Sequence, residues 1–122
     1  MKQTYETGLK GEEAAENYLQ ETRGMICRER RYRSKCGEID LIMQEGQTIV
    51  FVEVKTRLTA SPGMGMMSVN ETKQKRIARA AVLYLSSTKQ MNMPVRFDVI
   101  EITRDSIIHI PNAFQPGRMF YR

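Results

Sequence analysis

Two strand-like runs, 37-GEIDLIM-43 and 48-TIVFVEVKT-56, are separated by the polar loop 44-QEGQ-47 and constrain this chain more than any other feature. Both are rich in β-branched and aromatic residues, and the loop carries the glycine a hairpin turn often needs, so the two predict antiparallel neighbours in a sheet. Strand periodicity puts Ile49, Phe51, Glu53, Lys55 and Arg57 on one face of the second run and Val50, Val52, Val54 and Thr56 on the other. In the first run Glu38, Asp40 and Ile42 share a face. An aligned hairpin then brings Asp40 beside Glu53 and Lys55, whereas a slip of one residue turns it away.

The flanking segments supply helices. From about Tyr5 to Leu19, a step of about 100° per residue places Tyr5, Leu9, Ala15 and Leu19 on one side, a stripe expected to face a core. Glu12 and Glu16 fall inside that stripe, while Glu13 and Lys10 lie outside it. A carboxylate there must be paired, protonated or bound to a cation, because burial of a lone charge is costly. Ile26 to Tyr32 reads as an edge strand or a loop. After the hairpin, 58-LTASPGMGMM-67 reads as a mobile loop, and Ser68 stands before Glu71 as in a capping box. Ile77, Ala80, Ala81, Tyr84 and Leu85 recur at helical spacing through about Ser87. The segment 95-VRFDVIEI-102 is strand-like, 107-IIHI-110 less so, and the tail from Pro111 looks irregular. These elements give an α/β fold in the order α-β-β-β-α-β, and 122 residues without a repeat or linker suit a single domain over 1–122.

No apolar run approaches the roughly 20 residues that span a bilayer, and the N-terminus has no apolar signal core, so a cytoplasmic location is expected. Cys27 and Cys36 cannot make a disulfide-rich framework, and with one histidine in the chain they match no zinc-site spacing. They read as reduced thiols. The formal net charge of +5 favours a polyanionic partner. The excess is clustered: 28-RERRYRSK-35 carries four arginines and a lysine, and Lys73, Lys75, Arg76 and Arg79 follow later. Such clusters are also compatible with plain solvated faces.

Asp40, Glu53 and Lys55, with Glu12 arriving from the first helix, make a set of three carboxylates and one ammonium. Hard oxygen ligands suit Mg²⁺ or Mn²⁺, ions that keep several waters and favour phosphate oxygens. An ammonium beside such an ion can orient an attacking water and offset charge growing on a phosphorane-like transition state. The same residues also suit a structural ion-pair network, with Lys55 bonded to Glu53 or Asp40 and Glu12 to an arginine. Spacing alone leaves both open.

The run GEID, with Glu53 thirteen residues after Asp40 and then EVK, resembles the D-(x)n-(D/E)-x-K core of restriction-endonuclease-like (PD-(D/E)xK) nucleases. Together 8-GLKGEEAAENYL-19, 37-GEIDLI-42, 51-FVEVKTR-57, 73-KQKRIARAAVLYL-85, 96-RFDVIEI-102 and 112-NAF-114 resemble the YraN family, an uncharacterised group similar to archaeal Holliday-junction resolvases. The resemblance implies a three-layer fold, with a mixed central sheet flanked by helices. It implies that Asp40 and Glu53 hold Mg²⁺ or Mn²⁺ with the Val54 carbonyl, that Glu12 completes the metal site, and that Lys55 is the catalytic lysine. Lys73 and Arg57 take phosphate-contact positions in the same comparison, and the basic clusters add Arg31, Arg33 and Arg76 as candidate nucleic-acid contacts. From periodicity, Glu16 and Glu38 are second choices for the place of Glu12, since their faces depend on where the elements begin and end. Ile39 stands where the nuclease motif often has proline, as is usual in the resolvase-like branch.

The function expected from these residues is metal-dependent DNA hydrolysis, extending through the resolvase likeness to branched DNA and a homodimer. Two alternatives remain: a nucleic-acid-binding module with this fold and little or no catalysis, and an interaction scaffold that uses the methionine-rich loop.

Overall fold

The structure, a computed structural model, describes residues 2–57 and 69–115, and for residues 2–9 the backbone alone. Helix α1 (Lys2–Arg23) leads into strands β1 (Ile26–Ser34), β2 (Gly37–Glu45) and β3 (Thr48–Thr56). Helix α2 (Glu71–Ser87), β4 (Val95–Ile102) and β5 (Ile107–Ile110) follow. The five strands form one sheet in chain order, and every neighbouring pair is antiparallel except β3 with β4. That parallel pair needs a crossover, and α2 lies in it. The expected order holds, and the weakly signalled last strand is real.

The hairpin forms because its turn chemistry and its alternation agree. Gln44 pairs with Ile49 and Glu45 with Thr48, leaving Gly46 and Gln47 as the turn, where Gly46 adopts φ +59. A side chain at that left-handed φ is strained, and glycine is not. Along β3, Ile49 and Phe51 join one buried cluster and Val50 and Val52 another, as strand periodicity requires. Ile77, Ala80, Ala81, Tyr84 and Leu85 of α2 cover the first cluster. Ala15 and Leu19 of α1 cover the second. The sheet is therefore a middle layer between two helices. Aromatic packing knits the α2 side, with the rings of Phe51 and Phe97 stacked at 5.4 Å and Tyr84 edge-on to both Tyr32 and Phe51.

Helix α1 reaches the sheet through Gly11, because a Cβ there would collide with Thr56 Oγ1 at the end of β3. This approach sets Glu12, the next residue, against the end of the hairpin. The start of α2 differs from expectation. Asn70 is the N-cap, its side chain accepting from the Lys73 amide at 2.9 Å, while Ser68 and the loop 58–67 lie outside the described residues. Both residues are cap formers, and the one adjacent to Glu71 has the reach.

Candidate active site

The observed pairing of Leu41 with Val52 is the register that places Asp40 across from Glu53. The β2–β3 ladder stops at that pair. Beyond it the Val54 amide donates to Asp40 Oδ2 at 2.8 Å, so a side chain takes over from the missing strand partner. The local geometry departs from strict alternation. Ile39 and Ile42, three positions apart, both enter the α2-side cluster, so the period of two breaks between them, around Asp40. In β3 the amides of Ile49 and of Arg57, just past the strand, bond toward β4, at Pro94 and Ile102. The even residue Val54 therefore turns its amide and its carbonyl toward the splayed β2 side.

Burial then sets the protonation of the pair. Glu53 is 7% exposed. Desolvation, reinforced by the hydrogen bond and the charge of Glu53, pushes the Asp40 carboxyl up to about 9. Glu53 is pushed up by burial too, yet its interactions with Asp40 and with the Lys73 ammonium outweigh it and hold Glu53 below the usual carboxylate range. Two desolvated carboxylates side by side resist being charged together, so the pair holds a proton more tightly than free carboxylates do. Glu53 Oε2 is buried and accepts no aligned hydrogen bond, although Lys73 Nζ stands 2.8 Å away as an ion pair. Sequence reasoning had Lys55 pairing with Glu53 as the structural alternative, but the short contact comes from α2. Lys55 itself is held below the ordinary lysine range, first by desolvation and then by its contact with Lys73.

Glu12 faces inward as the helical pattern predicts, and its side chain is 16% exposed. Its Oε1 accepts from Arg31 Nε at 2.8 Å. Burial nonetheless raises its carboxyl, and its lesser influences include Glu38 and a hydrogen bond with Asp40. Glu12 therefore sits between the arginine and the hairpin site. One turn on, Glu16 takes a two-pronged contact from Arg30, both bonds at 2.7 Å. These two rungs join α1 to β1, and they explain why that strand can carry so many arginines. Arg31 adopts φ +49, an unusual conformation for a non-glycine residue.

The basic candidates divide. Lys73 and Arg76 line a cleft of about 290 Å³ together with Gly37, Glu38, Asp40 and Ile77. Arg33 is exposed and stands 3.9 Å from Glu38. Arg57 lies at the end of β3 with its Nε buried and without a hydrogen bond. Arg31 is turned to Glu12, on a larger cavity of about 570 Å³ between α1 and β1. Asp40 lines the smaller cavity and Leu41 the larger, and Lys73 belongs to the smaller one. Among the described residues no three of Asp, Glu, His and Cys form a cluster able to hold a metal ion.

A second polar centre escaped the sequence reading. Asp98 is fully buried and accepts from Arg96, from His109 Nε2 at 2.7 Å and from the Asn112 amide at 2.9 Å. Arg96 continues to Glu45, which also holds Arg23. The signal was present in VRFDVIEI, since a strand buried on both faces can carry a charge only if it is paired. The network ties the end of α1 and the hairpin turn to β4 and β5, away from the Lys55 end of β3.

Residues 11–102 match the model of the uncharacterised protein family UPF0102. A UPF0102 protein of Geobacter metallireducens is 45% identical over 88% of this chain and 91% of its own length. One of Thermodesulfovibrio yellowstonii is 45% identical over 89% of this chain and 96% of its own. Among solved structures, a looser similarity runs to the crystal structure of SSO0001, with 15% identity, a TM-score of 0.43, and coverage of 86% of this chain and 49% of that one.

Proposed function

This chain belongs to the uncharacterised protein family UPF0102, and from that premise we propose that it is a Mg²⁺- or Mn²⁺-dependent endonuclease acting on DNA, with branched DNA as its preferred class. The observation that carries the reading is the meeting of Asp40 and Glu53 at the splayed end of the hairpin, with a buried Glu53 oxygen that no aligned hydrogen bond satisfies. The donor set fits the ion. Two carboxylates and the Val54 carbonyl, turned to the same side, offer hard oxygens to a cation that keeps several waters of its own. Bound there, the ion supplies charge stabilisation at the phosphate and lowers the pKa of a coordinated water.

The chain's own groups have separate tasks. Asp40 and Glu53 would hold the ion, whose charge would offset the repulsion between their carboxylates. Lys55, with its pKa depressed by its surroundings, orients the water for in-line attack, leaving a 3′-hydroxyl and a 5′-phosphate. Glu12 supports the site from α1 through its contact with Asp40. Arg33, Arg57, Lys73 and Arg76 offer charge to the phosphate backbone, and Arg31 joins them when it leaves Glu12.

The test is cleavage of labelled linear, flapped and four-way-junction DNA with Mg²⁺ and with Mn²⁺, comparing wild type with Lys55→Ala and Asp40→Ala. Metal-dependent cutting that is lost in both variants is expected, strongest on the junction. DNA binding without cutting, unchanged by either substitution, would favour a binding module that keeps this fold.

A further inference from the structure

We propose that Lys73 is an intramolecular counter-cation of the Asp40–Glu53 pair, displaced onto substrate phosphate when a divalent ion binds, so that metal and DNA binding reinforce each other. The inference rests on the metal-site reading above and adds a coupling to it.

Three observations lead there. Lys73 Nζ lies 2.8 Å from Glu53 Oε2, the same buried oxygen that lacks an aligned hydrogen bond, so the ammonium neutralises the carboxylate without saturating it. Lys73 is also the third residue of α2, where the helix dipole disfavours a cation. Its backbone is pinned by the Asn70 cap, so the ammonium reaches the carboxylate by its flexible stem alone. Finally, the side chain is 36% exposed and lines the cleft shared with Asp40 and Arg76. An ammonium displaced from Glu53 thus moves outward beside Arg76, where a phosphate is its natural partner.

Displacement has a thermodynamic signature. A cation that must leave for the metal to bind weakens the metal, and a phosphate that receives that cation restores the affinity. By linkage, the metal strengthens DNA binding by the same factor.

The experiment is titration of the whole chain with Mn²⁺, followed by the paramagnetic resonance signal of the free ion, with and without short duplex DNA. Wild type, Lys73→Met, Lys73→Arg and Asp40→Asn are compared, with circular dichroism as a check of folding. Without DNA, Lys73→Met is expected to bind Mn²⁺ about tenfold tighter than wild type. Lys73→Arg should behave as wild type, and DNA should tighten Mn²⁺ binding in wild type but not in Lys73→Met. Equal or weaker Mn²⁺ binding by Lys73→Met, with binding in wild type that Asp40→Asn abolishes, overturns the displacement and leaves the metal site standing. Absence of Mn²⁺ binding in wild type overturns both.

Discussion

The Val54 amide donates to Asp40 Oδ2 at 2.8 Å where the β2–β3 ladder ends, so one side chain both closes the strand pairing and faces the acidic site. This double duty makes Asp40 costly to the metal-free protein. Its carboxyl is held up to about 9 by burial and by Glu53, so between the ordinary value of 3.8 and about 9 the folded state keeps a proton that the unfolded chain releases. Stability therefore falls as pH rises across that window.

Asp40→Asn should remove this pH dependence while keeping the acceptor for Val54. In chelator, the variant is expected to be more stable than wild type at neutral pH by on the order of 1 kcal/mol. Thermal unfolding between acid and alkaline pH measures it. A variant with the same slope as wild type would show that Asp40 does not hold the proton.

Lys55→Met should separate chemistry from binding. Loss of the water-orienting amine is expected to slow single-turnover cleavage by about 100-fold or more. Mn²⁺ and DNA affinity should change little, and a parallel loss of DNA affinity would make Lys55 a phosphate contact instead.

Asp98→Ala leaves Arg96, His109 and the Asn112 amide without their shared acceptor. A loss of about 3 kcal/mol is expected in denaturant unfolding, as for a broken buried ion pair. Burial raises the Asp98 carboxyl, but His109 and Arg96 more than offset it, so its value in the folded protein lies below 3.8. The stabilisation is thus complete above the unfolded value and fades as pH falls through the lower, folded one. In acid titration wild type should lose its advantage over the variant only in that range.

Gly11→Ala should lower stability, although alanine is the better helix former by about 1 kcal/mol, because the new methyl meets Thr56 Oγ1. Thr56→Ala in the same chain should restore much of the loss. Thermal melts of both single variants and the double variant give the coupling.

Arg76→Ala should weaken binding to all DNA sequences alike and reduce the salt dependence of binding by a slope of about 1. Affinity measured across salt concentrations decides it, and an unchanged slope would remove Arg76 from the interface.

The hairpin was legible because its faces are buried on both sides of the sheet, which leaves one register that sends Ile49 and Phe51 one way and Val50 and Val52 the other. Glu12 was legible for the same reason on a helix: it lies on the stripe of Ala15 and Leu19. The break in alternation around Asp40 was hidden, since it follows from a side chain replacing a strand partner. The S-x-x-E spacing is a capping signature and points to Ser68, whereas Asn70, adjacent to Glu71, is the residue that caps. The contact of Lys73 with Glu53 and the Asp98 network are tertiary meetings of distant segments, for which a single sequence holds charges but no partners.

The connection between β3 and α2 is fastened at both ends. Arg57 donates its amide to Ile102 two residues after Lys55, while Val69 is buried one residue before the Asn70 cap that fixes Lys73. These two clasps fix the backbone positions from which Lys55 and Lys73 approach Glu53, one at the end of the strand and the other in the first turn of the helix. For a protein engineer the two ammonium groups are therefore separable handles, since each hangs from an anchor that the other does not share.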